Sequence, residues 1–143
     1  MILNKMRSRY IGLFFLSVAI LALEIFQIRV LSLLLWHHFA FLVISAALLG
    51  FGASGVYLSL KKNDKVSAEG LAGSSAVWFA ISSAVSLLVL NHLPINFLRS
   101  PLKDIVIRLG AYYILLFLPF LFGGLAVARV LIEGMERVSR LYF

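Results

Sequence analysis

Two charged residues, Glu24 and Arg29, sit inside an otherwise apolar run over residues 10–36, YIGLFFLSVAILALEIFQIRVLSLLLW. A transmembrane helix needs roughly 20 apolar residues, so this run is long enough to cross a bilayer. A charge at the centre of such a helix costs about 3 kcal/mol on insertion scales. The chain is therefore expected to fold so that neighbouring helices offset these two side chains. Three further apolar runs follow, at residues 39–60, 70–92 and 105–132. The expected fold is all-α: a polytopic bundle of four transmembrane helices, one membrane domain over residues 1–143 with no soluble domain.

Hydrophobic residues make up 62% of the chain and charged residues 13%, against about half and a quarter in soluble domains. The net charge of +7 does not point to nucleic acid, because the basic residues form short clusters between apolar runs, with no basic face and no stacking module. Anionic lipid headgroups are the expected counter-ions. The chain has no cysteine, hence neither a disulfide framework nor a thiolate zinc site. Its first apolar run exceeds a signal-peptide core, and no small-residue cleavage pattern follows before the next span, so it is expected to be retained.

Basic residues also set the expected orientation. Lys5, Arg7 and Arg9 precede the first span, Lys61, Lys62 and Lys65 lie between the second and third, and Arg137 and Arg140 follow the fourth. Only Arg99 and Lys103 lie in the loop between the third and fourth. Positive charge favours the cytoplasmic side, which predicts both termini inside. His37 and His38 form the short outer turn of a first helical hairpin, and Pro94 and Pro101 break helix continuation in the outer loop. The third span is the least hydrophobic. Arg108 and Arg129, near the ends of the fourth, are expected to snorkel toward opposite surfaces.

Gly50, Gly52 and Gly55 in LLGFGASG match the GxGxxG pattern of dinucleotide sites. That pattern carries meaning only between a strand and a helix, so here packing is the expected role and no cofactor is implied. Ala46, Gly50 and Ser54 repeat every four residues, as do Ala76, Ala80 and Ala84. Such stripes let helices approach closely, and spans two and three are expected to pack through them, on each other or on span one. Pro119, Gly123 and Gly124 mark an expected kink in span four.

At about 100° per residue, Ser17, Glu24, Gln27 and Leu31 share one face of span one, with Arg29 about 140° from Glu24. Glu24 falls at the depth of Ser83 and Ser86 on span three, and Arg29 at the depth of Ser45, Tyr112 and Tyr113; these are the expected polar neighbours. Two roles stay open for Glu24: lining a cation or proton pathway, or fixing the bundle as a buried carboxyl. His37, His38 and His92 share the outer face, but without a carboxylate at ligand spacing no metal site is expected. Trp36, Trp78, Tyr10, Tyr57 and Tyr142 fit interfacial aromatic belts.

The run ALEIFQIRVLSLLLWHHFAFLVISAALLGFGASG, residues 22–55, resembles the N-terminal membrane region of the multispanning spermidine-synthase-like proteins of bacteria, the membrane polyamine aminopropyltransferases. In that family a Glu precedes an Arg and a Leu-Ser in the first span, matched here by Glu24, Arg29, Leu31 and Ser32. A glycine-rich close to the second span is matched by Leu49, Gly50, Gly52 and Gly55. LPFLFGGLAVARVL, residues 118–131, and the closing RLYF are similar to later family segments, and the matches cover about half the chain.

Catalytic members carry a soluble Rossmann-like domain with a glycine-rich loop for decarboxylated S-adenosylmethionine and an acidic catalytic residue. These 143 residues are not expected to supply that domain. The resemblance implies a non-catalytic region of a bacterial inner-membrane protein, anchoring or handling substrate beside a cytoplasmic catalytic domain. Its partners would be a second copy, another membrane protein or that domain. The alternative is a small cation- or proton-coupled transporter using Glu24 in a homo-oligomer, since small multidrug resistance exporters also have four helices and an acid in the first.

Overall fold

In the structure, a computed structural model, the chain is described over residues 2–35, 40–60, 68–92 and 102–142, with side chains described for 7–33, 40–60, 72–92, 103 and 105–132. Trp36, His37, His38, the lysines at 61, 62 and 65, the loop with Pro94, Arg99 and Pro101, and the side chains of Lys5, Arg137, Arg140 and Tyr142 lie outside the described residues.

The described residues form four helices: α1 (Ile2–Leu35), α2 (Ala40–Leu60), α3 (Ala68–Asn91) and α4 (Leu102–Tyr142). Each contains a stretch long and apolar enough to cross a membrane, and that of α3 is the least apolar. The bundle is all-helical, as composition and run length predict. Two ends differ from the sequence expectation: α1 starts at Ile2 and α4 continues to Tyr142. Hydropathy marks only the apolar part of a helix, whereas backbone hydrogen bonding continues through polar residues wherever no proline or terminal glycine stops it.

The helices alternate in direction. Gly50 and Ser54 of α2 meet Phe120 and Gly124 of α4 in the same order, so α2 and α4 run parallel; Phe79 of α3 and Ile20 of α1 both meet Gly123. Ser75 pairs with Arg129 and Trp78 stacks on Phe122, which makes α3 and α4 antiparallel. α4 is the hub, packed extensively on α2 and α3; α1 lies on α2 and α4 with a thin seam to α3, and α2 and α3 scarcely meet.

Each helix turns one face inward. On α1 it is Ile20, Leu23, Gln27 and Leu31, on α2 Val43, Ala46, Ala47, Gly50 and Ser54, and on α3 Ser75, Phe79, Ser86 and Leu90. Spacings of three, four and seven residues keep these side chains on one side of a helix. From α4 come Leu116, Pro119, Phe120, Leu125 and Ala126, with Gly123 and Gly124. The opposite faces carry exposed large apolar residues, among them Phe14, Phe15, Ile25, Phe41, Leu48, Val77 and Ile114.

The small-residue stripe on α2 meets α4 at Gly50 and Ser54. A methyl group added at Gly50 would stand 2.7 Å from Phe120 Cβ and 2.8 Å from the Leu121 backbone nitrogen. At Gly124 it would stand 2.5 Å from Ser54 Oγ, and at Gly123 2.9 Å from Ile20 Cδ1. The stripe on α3 faces the other way, with Ala80 and Ala84 exposed and Ala76 half-buried. Gly52 and Gly55, expected as close-packing points, are exposed with open space where a side chain would go. Sequence spacing defines a stripe; only packing decides which stripe is used.

Pro119 lies within the unbroken α4 and is fully buried. With Gly123 and Gly124 it faces the interior, where these residues let α1, α2 and α3 close on a single helix.

Candidate functional site

Most hydroxyls in the helices are satisfied locally. Ser32 donates to the Ile28 carbonyl at 2.7 Å, Ser45 to Leu42 at 3.0 Å, Ser54 to Phe51 at 2.7 Å and Ser83 to Phe79 at 2.6 Å. A serine inside a helix can return its hydroxyl to the carbonyl three or four residues back, so it enters an apolar setting without a partner from another helix.

The polar contacts that cross between helices among the described residues include Gln27 with Ser86 and Arg129 with Ser75. Gln27 Nε2 on α1 donates to Ser86 Oγ on α3 at 3.0 Å, and both side chains are fully buried. The second amide acceptor, Gln27 Oε1, is buried with no hydrogen-bond partner. Nearer the opposite end of the bundle, Arg129 Nη1 on α4 donates to Ser75 Oγ on α3. The sequence pairs Ser86 with Glu24, but the structure gives it Gln27, one helical turn away. Arg129 is half-buried and held by α3 instead of merely reaching for a surface.

Glu24 is half-buried, and no hydrogen bond or ion pair joins it to another described residue. Arg29 is exposed on the outer face of α1. Among the described residues nothing hydrogen-bonds it to Ser45, Tyr112 or Tyr113, which departs from the expectation of shielding by neighbouring helices. The physical reason is angular: with Gln27 and Leu31 turned inward, a residue two positions from Gln27 lies about 160° round the helix and must face out.

His92 ends α3, exposed, with its Nδ1 2.9 Å from the Leu88 carbonyl oxygen. Tyr10, Tyr57 and Trp78 are exposed on the bundle surface, Trp78 stacked on Phe122 at a centroid distance of 5.9 Å. Among the described residues no three His, Cys, Asp or Glu side chains gather where they could hold a metal ion.

The Gln27–Ser86 bond spans the thin α1–α3 seam, which makes it a sensitive place to test the packing. Ser86→Ala leaves the whole amide unpaired and is expected to cost about 1–3 kcal/mol. Measured hydrogen bonds between membrane helices average only about 0.6 kcal/mol, which favours the lower part of that range. The double variant Gln27→Leu/Ser86→Ala is expected to return close to the parent, because both polar groups are gone. Unfolding midpoints in detergent check this; a silent Ser86→Ala would show that the bond contributes nothing.

A bundle of four apolar helices, each of membrane-spanning length and gathered on a central α4, is the class that these observations define, and it is compatible with a multi-pass membrane protein. No family model, curated protein or solved structure matches the chain.

Proposed function

We propose that this chain is an integral membrane bundle of a bacterial inner membrane, with both termini cytoplasmic. Its role is that of a non-catalytic membrane region like that of the spermidine-synthase-like proteins, anchoring or handling substrate beside a cytoplasmic catalytic domain. The observation that carries the membrane assignment is the inside-out distribution of polarity. Large apolar side chains are exposed on the outer faces of all four helices, while Gln27, Ser75 and Ser86 are buried between them. Soluble monomers rarely expose apolar patches of that extent, whereas lipid accepts them as long as the backbone is paired within helices.

An anchoring role is supported by how the interior is filled. Leu31, Val43, Leu116 and Phe120 are essentially inaccessible, and Gly50 brings α2 against the α4 backbone at Phe120 and Leu121. Cysteine replacement of Lys62 tests the orientation: a membrane-impermeant maleimide is expected to label it only after the cells are opened. Detergent extraction of the tagged chain tests the partner, with aminopropyl transfer to a diamine expected in the eluate. An eluate without that activity counts against the family assignment.

The transporter reading keeps one supporting observation, the half-buried Glu24 with no partner among the described residues. Glu24→Gln separates the two. If the chain is an anchor, the variant is expected to keep its unfolding midpoint or raise it, because a carboxyl in apolar surroundings is replaced by a neutral isostere. Proteoliposomes of parent and variant would then show the same cation flux. Proton-driven flux that disappears in Glu24→Gln, with the fold retained, would establish transport.

A further inference from the structure

The thin seam between α1 and α3 leaves an apolar groove of about 390 Å³, open along one side. Phe26, Val30 and Leu33 wall it from α1, and Leu87, Leu90 and Asn91 from α3. Its volume falls within the roughly 300–1,000 Å³ of small-molecule pockets. The groove has a polar end, because Asn91 is the last residue of α3 and is exposed.

Arg29 stands on the same side of α1, about 60° round the helix from Phe26 and about 40° from Leu33. It is exposed and has no hydrogen-bond or ion-pair partner among the described residues. The end of α1 at Leu35 lies six positions further on, about 9 Å along the axis. An arginine extended toward that end brings its guanidinium near the level where apolar helix gives way to polar surroundings.

We propose that this groove holds one phospholipid of the leaflet at the Leu35 end, its acyl chain against Phe26, Val30 and Leu90 and its phosphate on Arg29. The proposal rests on the membrane assignment above. Two features select this occupant. A second apolar helix laid in the groove would crowd the Arg29 guanidinium while offering it no counter-ion. Free phosphate would satisfy Arg29 but leave the groove unfilled. A phosphate attached to an acyl chain matches both, since a guanidinium binds phosphate through two parallel hydrogen bonds. Asn91 at the polar end adds a donor within the headgroup zone.

The test uses the full chain in detergent, titrated with phosphatidylglycerol and observed by native mass spectrometry. The parent is expected to retain one lipid through transfer to the gas phase. Arg29→Gln is expected to weaken retention roughly tenfold or more, the consequence of losing a charge-assisted contact. Arg29→Lys should restore part of it, and Leu33→Trp, which fills the groove from an exposed wall position, should abolish it. Arg108→Gln alters an exposed arginine on α4 away from the groove and should bind as the parent does. Equal retention by the parent, Arg29→Gln and Leu33→Trp overturns the proposal, as does equal loss in Arg108→Gln.

Unfolding midpoints of the variants separate loss of binding from loss of fold. Alkaline carbonate treatment of membranes separates the two levels of the proposal. Extraction of the chain by carbonate sinks the membrane assignment itself. A carbonate-resistant chain with lipid retention indifferent to Arg29 sinks only the phospholipid site.

Discussion

Phe120→Ala is expected to destabilise the bundle by about 3–5 kcal/mol, the usual range for removing a buried aromatic side chain. Phe120 is completely buried and the largest such side chain among the described residues. It belongs to the same core cluster as Leu31 of α1, Val43 of α2 and Phe79 of α3. Deleting the ring opens a cavity on the central helix, which cannot move toward one neighbour without leaving another. With natural domains only about 5–15 kcal/mol stable, a loss of this size takes a large share. Equilibrium unfolding in mixed micelles measures it; a change below about 1 kcal/mol would show that the site collapses freely around the deletion or that α4 is not the hub.

Gly50→Ala adds a single methyl group and is nonetheless expected to cost about 1–3 kcal/mol or more, as overpacking does. The added carbon would stand 2.7 Å from Phe120 Cβ, 2.8 Å from Leu121 N and 2.9 Å from Phe120 C. Two of those three atoms are backbone, so relief requires α2 and α4 to separate. A sharper consequence follows. Alanine keeps Cβ, so Phe120→Ala cannot rescue Gly50→Ala, and the double variant should be at least as unstable as the sum of the singles. At Gly123 the nearest atoms belong to the ends of the Ile20 and Phe79 side chains, which can shift, so Gly123→Ala should cost less. Gly52→Ala and Gly55→Ala meet open space and should stay within about 0.5 kcal/mol of the parent. Equal costs at Gly50 and Gly52 would contradict the α2–α4 contact.

These two predictions concern contacts between distant parts of the chain, and their legibility in the sequence was uneven. The close-packing role of Gly50 with Ala46 and Ser54 was readable from four-residue spacing, because that spacing places small residues on one helix face. The partner was not readable: the same spacing marks Ala76, Ala80 and Ala84, and only the exposure of Ala80 and Ala84 shows which stripe the fold uses. The GxGxxG string divides likewise, its first glycine against α4 and the other two facing outward.

The polar residues show the same limit. Glu24 drew attention because a carboxylate in an apolar run is costly wherever it points. The buried cross-helix hydrogen bond nevertheless belongs to its neutral neighbour Gln27. A clue was available, since Gln27 shares a face with Leu31 and lies at the centre of the buried arc through Ile20 and Leu23. Arg129 with Ser75 had no such signal, because a basic residue near a helix end reads equally well as snorkelling.

From the sequence alone came the number of helices, their approximate apolar extents and the all-α class, because run length and hydropathy are properties of each segment taken by itself. Tertiary structure alone decided that α4 is the hub, that α1 is held to α3 across a thin polar-bridged seam, and that Arg29 and Gly52 look outward. Those outcomes depend on how four cylinders rotate against one another. On α1, α2 and α3 nearly every face is apolar, so hydropathy sets no preferred rotation there and shape together with a few hydrogen bonds makes the choice; of the four, α4 is the helix whose charged residues gather on one side.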